Sequence, residues 1–207
     1  PRDVLRAHGL CTELGLDVDN ASGVIAWAID CFQRGLLGEP DTGGLALRWG
    51  DSEGVFRLLE DLAFRRGLGD LLAEGSAEAA RRIGRGTEAL AVHVKGQELM
   101  ECLWMSPSWA LGVMVSPRGG GHTRGSVLEG RFENLDRETC ERYFGVSAIG
   151  GPGDYRPKER LVAFFERLEA FLDSAGICMF TNSLRLDMIP PEDYARLFAA
   201  ATGTSLD

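Results

Sequence analysis

The stretch from Pro157 to Gly176 constrains the fold of this chain more than any other. Leu161, Phe165, Leu168 and Leu172 recur at helical spacing, and Val162, Phe164 and Phe171 widen the apolar face. Pro157 suits the first turn of a helix, where its missing N–H costs nothing, and Gly176 can take the positive φ that stops one. Asp173 sits just before that stop and Cys178 two residues past it. Such a carboxylate could accept hydrogen bonds from the N–H groups of a ligand, and such a thiol could bind a metal as thiolate. Spacing alone leaves open the plainer reading of a solvated helix-end Asp and a small packing Cys.

Helical signals dominate the remainder. A helix over residues 1–13 runs into Cys11-Thr12-Glu13-Leu14-Gly15-Leu16-Asp17, with Gly15 as its stop. Asn20 or Ser22 is expected to cap a second helix from Val24 to about Leu36, and Asp51 or Ser52 a third through Arg66, broken by Gly67 and Gly69. Short helices over Asp70–Glu74 and Ser76–Ile83 follow, the latter capped by Ser76. Alternation over Ala89–Val94 predicts a short strand. Residues 99–115 read as apolar and irregular, with Trp104 and Trp109 suited to a pocket wall or to core packing. Gly119-Gly120-Gly121 rule out regular structure over 116–125, leaving a loop that either approaches a ligand or turns on the surface. Residues 126–156 read as a loop holding one helix around Asp136–Phe144, and Pro190-Pro191 open a last helix to Ala201.

Composition narrows the class. An apolar share of 44% over 207 residues supports one or two real cores, and 31 acidic against 22 basic residues, a formal charge of −9, argue against nonspecific binding to nucleic acid or anionic membranes. No run approaches the ~20 apolar residues of a membrane span. Cys11, Cys31, Cys102, Cys140 and Cys178 form an odd set without C-x-x-C, which points to a reducing, cytoplasmic compartment rather than a disulfide framework. The chain opens inside a helix without Met and reads as a fragment of a longer polypeptide.

Four stretches in order carry a resemblance. Asp173-Ser174-Ala175-Gly176-Ile177-Cys178 matches D-x-x-G-(L/I)-C, the second pterin motif of the tungsten-containing aldehyde:ferredoxin oxidoreductase family. Cys11-Thr12-Glu13-Leu14-Gly15-Leu16-Asp17 is similar to the first such motif, D-x-x-G-L-D. Arg48-Trp49-Gly50-Asp51 with Gly69–Ser76 resembles framework segments, and Pro117-Arg118-Gly119-Gly120-Gly121-His122 the Gly-rich segment ending in an active-site His. The resemblance implies a mainly α fold, the helical C-terminal domains 2 and 3 of that family across residues 1–207, with the β-rich N-terminal domain and three cluster cysteines outside this fragment. It implies tungsten or molybdenum between two pterins and a 4Fe–4S cluster, in an anaerobic, cytoplasmic redox enzyme. Its partners would be ferredoxin or a similar carrier and a small aldehyde, with homo-oligomers or additional redox subunits allowed.

Roles follow residue by residue as the resemblance implies. Asp173 would hydrogen-bond one pterin, with Gly176 and Ile177 shaping its turn, and Cys178 would be the fourth cluster ligand, thiolate suiting iron. Thr12, Gly15, Leu16 and Asp17 would hold the other pterin. His122 would exchange a proton with the substrate oxygen, and Arg124 would pair with anionic pterin or substrate groups. Cys11, Cys31, Cys102 and Cys140 are packing residues. Two departures stand out: Thr12 replaces the motif's Asp, and Glu98–Pro107 lacks the P-A-x-D-P-R-G run of typical members. Aldehyde oxidation is the leading expectation. The reductive branch acting on aromatic acyl-CoA thioesters and a cofactor-free helical binding or assembly domain are its alternatives.

Overall fold

The computed structural model describes residues 1–99, 106–127, 134–179 and 190–204. The fold is mainly helical, as expected, and the chain forms two compact units: Pro1–Glu101 with Arg118–Gly121, and Cys102–Pro117 with His122–Asp207. Among the described residues, no helix is long and apolar enough to cross a membrane.

The first unit holds α1 (Arg2–Leu14), α2 (Val18–Gln33), α3 (Ser52–Ala63), α4 (Leu68–Leu72) and α5 (Ser76–Ile83). A 3-10 turn over Thr87–Leu90 leads into the hairpin of β1 (His93–Val94) and β2 (Gln97–Glu98). Its core forms around α2, whose Val24, Ile25, Ala28, Ile29 and Cys31 are buried with Leu58, Leu59 and Leu62 of α3 and Ala79 and Ala80 of α5. Helix α2 begins at Val18, earlier than the expected Val24. Asp17, not Asn20 or Ser22, is its N-cap and accepts the Asn20 N–H at 2.8 Å. Gly69 does not break a helix either. It lies inside α4, where a Cβ would intrude on the Asp61 backbone, so glycine there lets α3 and α4 touch.

Two further corrections bear on the cleft described below. Ser76 is the first residue of α5 rather than its cap, and the helix end is satisfied from far along the chain. The buried Glu98 carboxylate accepts the Ser76 N–H at 2.6 Å and its hydroxyl at 2.8 Å. The predicted strand over Ala89–Val94 shrinks to its last two residues, which pair His93 with Glu98 and Val94 with Gln97 around a two-residue turn. That turn places Lys95 and Gly96 both at positive φ, 53° and 84°, the conformation a tight antiparallel hairpin needs.

The second unit holds α6 (Pro107–Val115), α7 (Arg137–Phe144), α8 (Lys158–Ser174) and α9 (Pro191–Thr202). The expectation of irregular structure up to residue 115 fails because Ser106 caps α6, accepting the Trp109 N–H at 3.1 Å, and Pro107 opens its first turn. Trp104 and Cys102 lie outside the described residues. Along α8, Leu161, Phe165, Leu168 and Leu172 are buried with Cys140 and Phe144 of α7 and Tyr194 of α9. The predicted Gly176 stop holds, at φ 70°.

Residues 122–127 run between α6 and α8. A Cβ on Gly112 would come within 2.5 Å of the Ser126 Cα, and one on Gly125, at φ 111°, would strike Glu166. The Ser108 hydroxyl donates to the Val127 carbonyl at 2.8 Å and the Ser126 hydroxyl to the Trp109 carbonyl at 3.1 Å. From α8, Glu169, only 2% exposed, accepts the Gly125 N–H. Burial pushes its carboxyl up to about 7, against the opposing pull of the Gly125 N–H and Arg124.

Two outcomes follow from this packing. Gly69→Ala should destabilise the protein by about 1–3 kcal/mol through overpacking, whereas Gly9→Ala, in open space on α1, should stabilise it by roughly 0.5–1 kcal/mol, both read by denaturant unfolding. For Glu169, the folded chain keeps a proton between pH 4.5 and about 7 that the unfolded chain has released. Stability therefore falls as pH rises through that window, by roughly 3 kcal/mol in full, and Glu169→Gln should lack this component when unfolding is compared at pH 5 and pH 8.

Candidate functional site

Two helix ends bring the expected residues into one recurring geometry. At the end of α1, Gly15 takes φ 70°, the Leu16 N–H reaches the Cys11 carbonyl at 2.8 Å, and the Gly15 N–H reaches Thr12 at 3.3 Å. At the end of α8, Gly176 also takes φ 70°, the Ile177 N–H reaches Leu172 at 2.8 Å, and the Gly176 N–H reaches Asp173 at 3.2 Å. Both are left-handed glycine stops with paired 6→1 and 5→2 hydrogen bonds. Thr12 and Asp173 thus occupy the same station on their helices, Gly15 and Gly176 the same turn position, Leu16 and Ile177 the apolar residue after it, and Asp17 and Cys178 the residue leaving the turn. Leu16 and Ile177 each pack on the core of their own unit, which fixes the exit direction of the chain.

Such an end is rich in acceptors, because the last helical carbonyls lack intrahelical donors and the macrodipole is negative there. Thr12 is exposed and donates its hydroxyl to the His8 carbonyl at 3.0 Å, which leaves the oxygen's lone pairs as its acceptor capacity. Asp17 combines two tasks. Its carboxylate caps α2, accepting from both the backbone and side chain of Asn20, and the Asn20 N–H first, with Arg118 adding to it, holds it below the usual carboxylate range.

Beside Leu16 and Asp17 the first unit opens a cleft of about 510 Å³, within the range of small-ligand sites. Glu74, Lys95, Glu98 and Arg118 line it, so it is charged on both signs and suits a polar ligand. The glycine-rich run forms part of its frame. Gly119, at φ 108°, would bring a Cβ to 2.6 Å from the Val94 carbonyl, and Gly120 has no room for one against the Glu98 carbonyl. These two glycines therefore let the loop lie on the β1–β2 hairpin, a packing reason that sequence could not separate from ligand approach.

In the second unit, Arg124 pairs with Asp173, bringing together two residues expected at the cofactor. Both are partly exposed, and a carboxylate offers about four lone-pair positions, so this pairing leaves acceptor capacity. His122 is half-buried and stacks on Trp109, with ring centroids 5.1 Å apart and planes inclined by 21°. Among the described residues, the buried Trp109 indole Nε1 has no hydrogen-bond partner. Cys178 is exposed just past the α8 stop, whereas Cys11, Cys31 and Cys140 are buried, with burial raising each thiol, that of Cys31 to about 11. Among the described residues, no three His, Cys, Asp or Glu side chains converge on a metal position.

Sequence reasoning missed Glu169 and Glu98. Glu169 carried a signal, a carboxylate four residues after Phe165 and three before Leu172 on the buried face of a helix. Glu98 carried none, because its target, the N-terminus of α5, lies 22 residues away.

Comparison with known proteins adds a consistent result. A family model described as aldehyde ferredoxin oxidoreductase, domains 2 and 3, matches residues 1–207. The tungsten-containing aldehyde ferredoxin oxidoreductase of Pyrococcus furiosus is 30% identical over 206 residues, covering 97% of this chain and 31% of that protein. Another P. furiosus protein, the aliphatic sulfonate oxidoreductase, WOR-like subunit, is 31% identical over 189 residues, or 88% of this chain and 25% of its own. Among solved structures, the active site complex BamBC of benzoyl coenzyme A reductase with 1,5-dienoyl-CoA matches with a TM-score of 0.77 at 25% identity, over 98% of this chain and 34% of that one. The chain spans about a quarter to a third of the length of these relatives. With a match over its whole length and a mainly helical fold shared with a solved relative, the chain belongs to the aldehyde ferredoxin oxidoreductase family of oxidoreductases.

Proposed function

We propose that this chain is the domain 2 and 3 portion of a tungstopterin oxidoreductase, in which Thr12–Asp17 and Asp173–Cys178 each hold one pterin. The observation that carries this reading is the shared geometry of the two helix ends, with a side-chain oxygen at one station and an αL glycine three residues on in each. Pterin rings present N–H and amino donors along one edge, and each helix end presents the complementary acceptors. The relatives named for tungsten support the metal, with molybdenum as its congener. When bound, the metal would exchange two electrons with the substrate, and a 4Fe–4S cluster would pass them singly to ferredoxin or a similar carrier.

The residues of this chain would supply position and proton transfer. Asp173 would accept pterin N–H groups while Arg124 balances its charge and reaches anionic groups nearby. At the first end, the Thr12 hydroxyl would give one acceptor where the motif's carboxylate gives two, and Leu16 and Asp17 would set the wall of the cleft. Trp109 would hold the His122 ring in one plane, and the imidazole would exchange a proton with a substrate oxygen. The exposed Cys178 thiolate would be one cluster ligand, its companions coming from outside this chain.

Oxidation of an aldehyde to a carboxylate, in a reducing cytoplasm, is the first reading, supported by the similarity to the tungsten-containing aldehyde ferredoxin oxidoreductase of P. furiosus. Reduction of an aromatic acyl-CoA thioester is the second reading. It is favoured by the similarity to a benzoyl-CoA reductase complex and by the aromatic face of Trp109 beside His122.

Metal analysis of the anaerobically purified full-length protein tests the proposal. Tungsten or molybdenum with about four iron per chain is expected, iron falling in Cys178→Ala while tungsten persists. Absence of both metals would overturn the cofactor reading, and iron unchanged in the variant would remove Cys178 as a ligand. Turnover of aldehyde with oxidised viologen, against turnover of aromatic thioester with reduced viologen, separates the two directions. A separate loss is expected for Asp173→Ala, with tungsten content reduced roughly tenfold or more from the loss of charge-assisted hydrogen bonds worth roughly 1.5–3 kcal/mol.

A further inference from the structure

Glu169 is the one carboxylate on the buried face of α8, set among Phe165, Leu168 and Leu172, and none of the roles above uses it. A carboxylate so placed is costly unless its contacts matter. Among the described residues its hydrogen-bond donor is a backbone group, the N–H of Gly125. That contact sits in a register along α8. Gly125 lies against Glu166 so closely that no Cβ fits, Glu169 holds its N–H, and Arg124 meets Asp173 one turn further on. On the other side, α6 holds the same segment through the Ser126 hydroxyl and the Trp109 carbonyl, and Trp109 stacks on His122.

We propose that Glu169 is a positioning residue: by holding Gly125 and facing Arg124, it fixes the segment that carries His122 and sets where Arg124 meets Asp173. The charges that act on it are Arg124 from this segment and Glu166 from its own helix. The facing helix α6 carries no ionisable side chain, and on α7 the Arg137–Glu141 and Arg142–Glu192 pairs are exposed. The opposed effects on its acidity agree with this role, since burial disfavours the anion while Gly125 and Arg124 favour it. The catalytic consequence rests on His122 carrying the proton in the proposed reaction; the positioning itself does not.

Two variants of the full-length holoprotein test it, Glu169→Ala and Glu169→Gln, by amide hydrogen exchange and by the rate at which diethyl pyrocarbonate modifies His122. In Glu169→Ala, exchange at Gly125 and Ser126 should rise roughly tenfold or more, and modification of His122 should speed up, with α7 and α9 peptides unchanged. Glu169→Gln keeps an acceptor for Gly125 but no charge facing Arg124, so it should fall between, with a rise of about two- to fivefold. It also carries the test should the alanine variant not fold. Unchanged exchange over 122–127 in both variants would overturn the proposal, and so would a loss of protection spread evenly over α7–α9, which would mark Glu169 as a core residue only. Where the enzyme turns over, kcat should fall with KM little changed. A protein without tungsten and without turnover would defeat the proposed function, while the exchange data would still decide the positioning role.

Discussion

Termination of a helix by a left-handed glycine is the constraint on which the rest of this structure depends. Gly15 and Gly176 adopt the same φ of 70°, and in each case the two N–H groups beyond the helix turn back to its last carbonyls. Residues with a Cβ lose roughly 1 kcal/mol or more on entering this region, so the turn is sharply specified at these two positions. Once it is set, the preceding oxygen-bearing side chain and the following apolar one have no freedom of placement. The apolar residue goes to the core, and the oxygen stays at the rim with the unpaired carbonyls. Chemistry at these ends follows from backbone geometry before any ligand is considered.

Close approach of backbone segments is the second organising feature. In the first unit Gly119 and Gly120 lie on the β1–β2 hairpin; in the second Gly112 lies on Ser126, and Gly125 on α8. None of these contacts tolerates a side chain, and each holds an irregular segment in place within its own unit. Polar groups then satisfy what the missing helix or sheet leaves open. Glu169 takes the Gly125 N–H, and Ser108 donates to the Val127 carbonyl. In the first unit the same device appears at Glu98, whose carboxylate closes the N-terminus of α5 from the edge of a cleft it also lines.

Much of this was legible in the sequence, for physical reasons that differ from element to element. The α8 periodicity, its proline start and its glycine stop are local signals, and they survive folding intact. The N-cap of α2 is not legible, because Asp17 stands inside a motif while its carboxylate serves Asn20 within its own turn. A cap and a site residue can be the same atom group, and sequence offers no way to rank the two. Nonlocal features were invisible for a simpler reason. Glu98 with Ser76, Arg124 with Asp173, and Trp109 with His122 are pairings set by packing, and nothing in the spacing announces them. The departure from the family pattern over Glu98–Pro107 lies mostly outside the described residues.

The equivalence of Thr12 with Asp173 is the central claim, since it assigns a cofactor to a helix end that lacks the motif's carboxylate. Pterin content per tungsten or molybdenum in the anaerobically purified full-length protein tests it most directly, read by fluorescence of the oxidised pterin released on denaturation. Two pterins per metal is the result the shared geometry predicts. A ratio of one would show that the α1 end, with a single hydroxyl acceptor at Thr12, does not hold the second pterin, and would contradict the account.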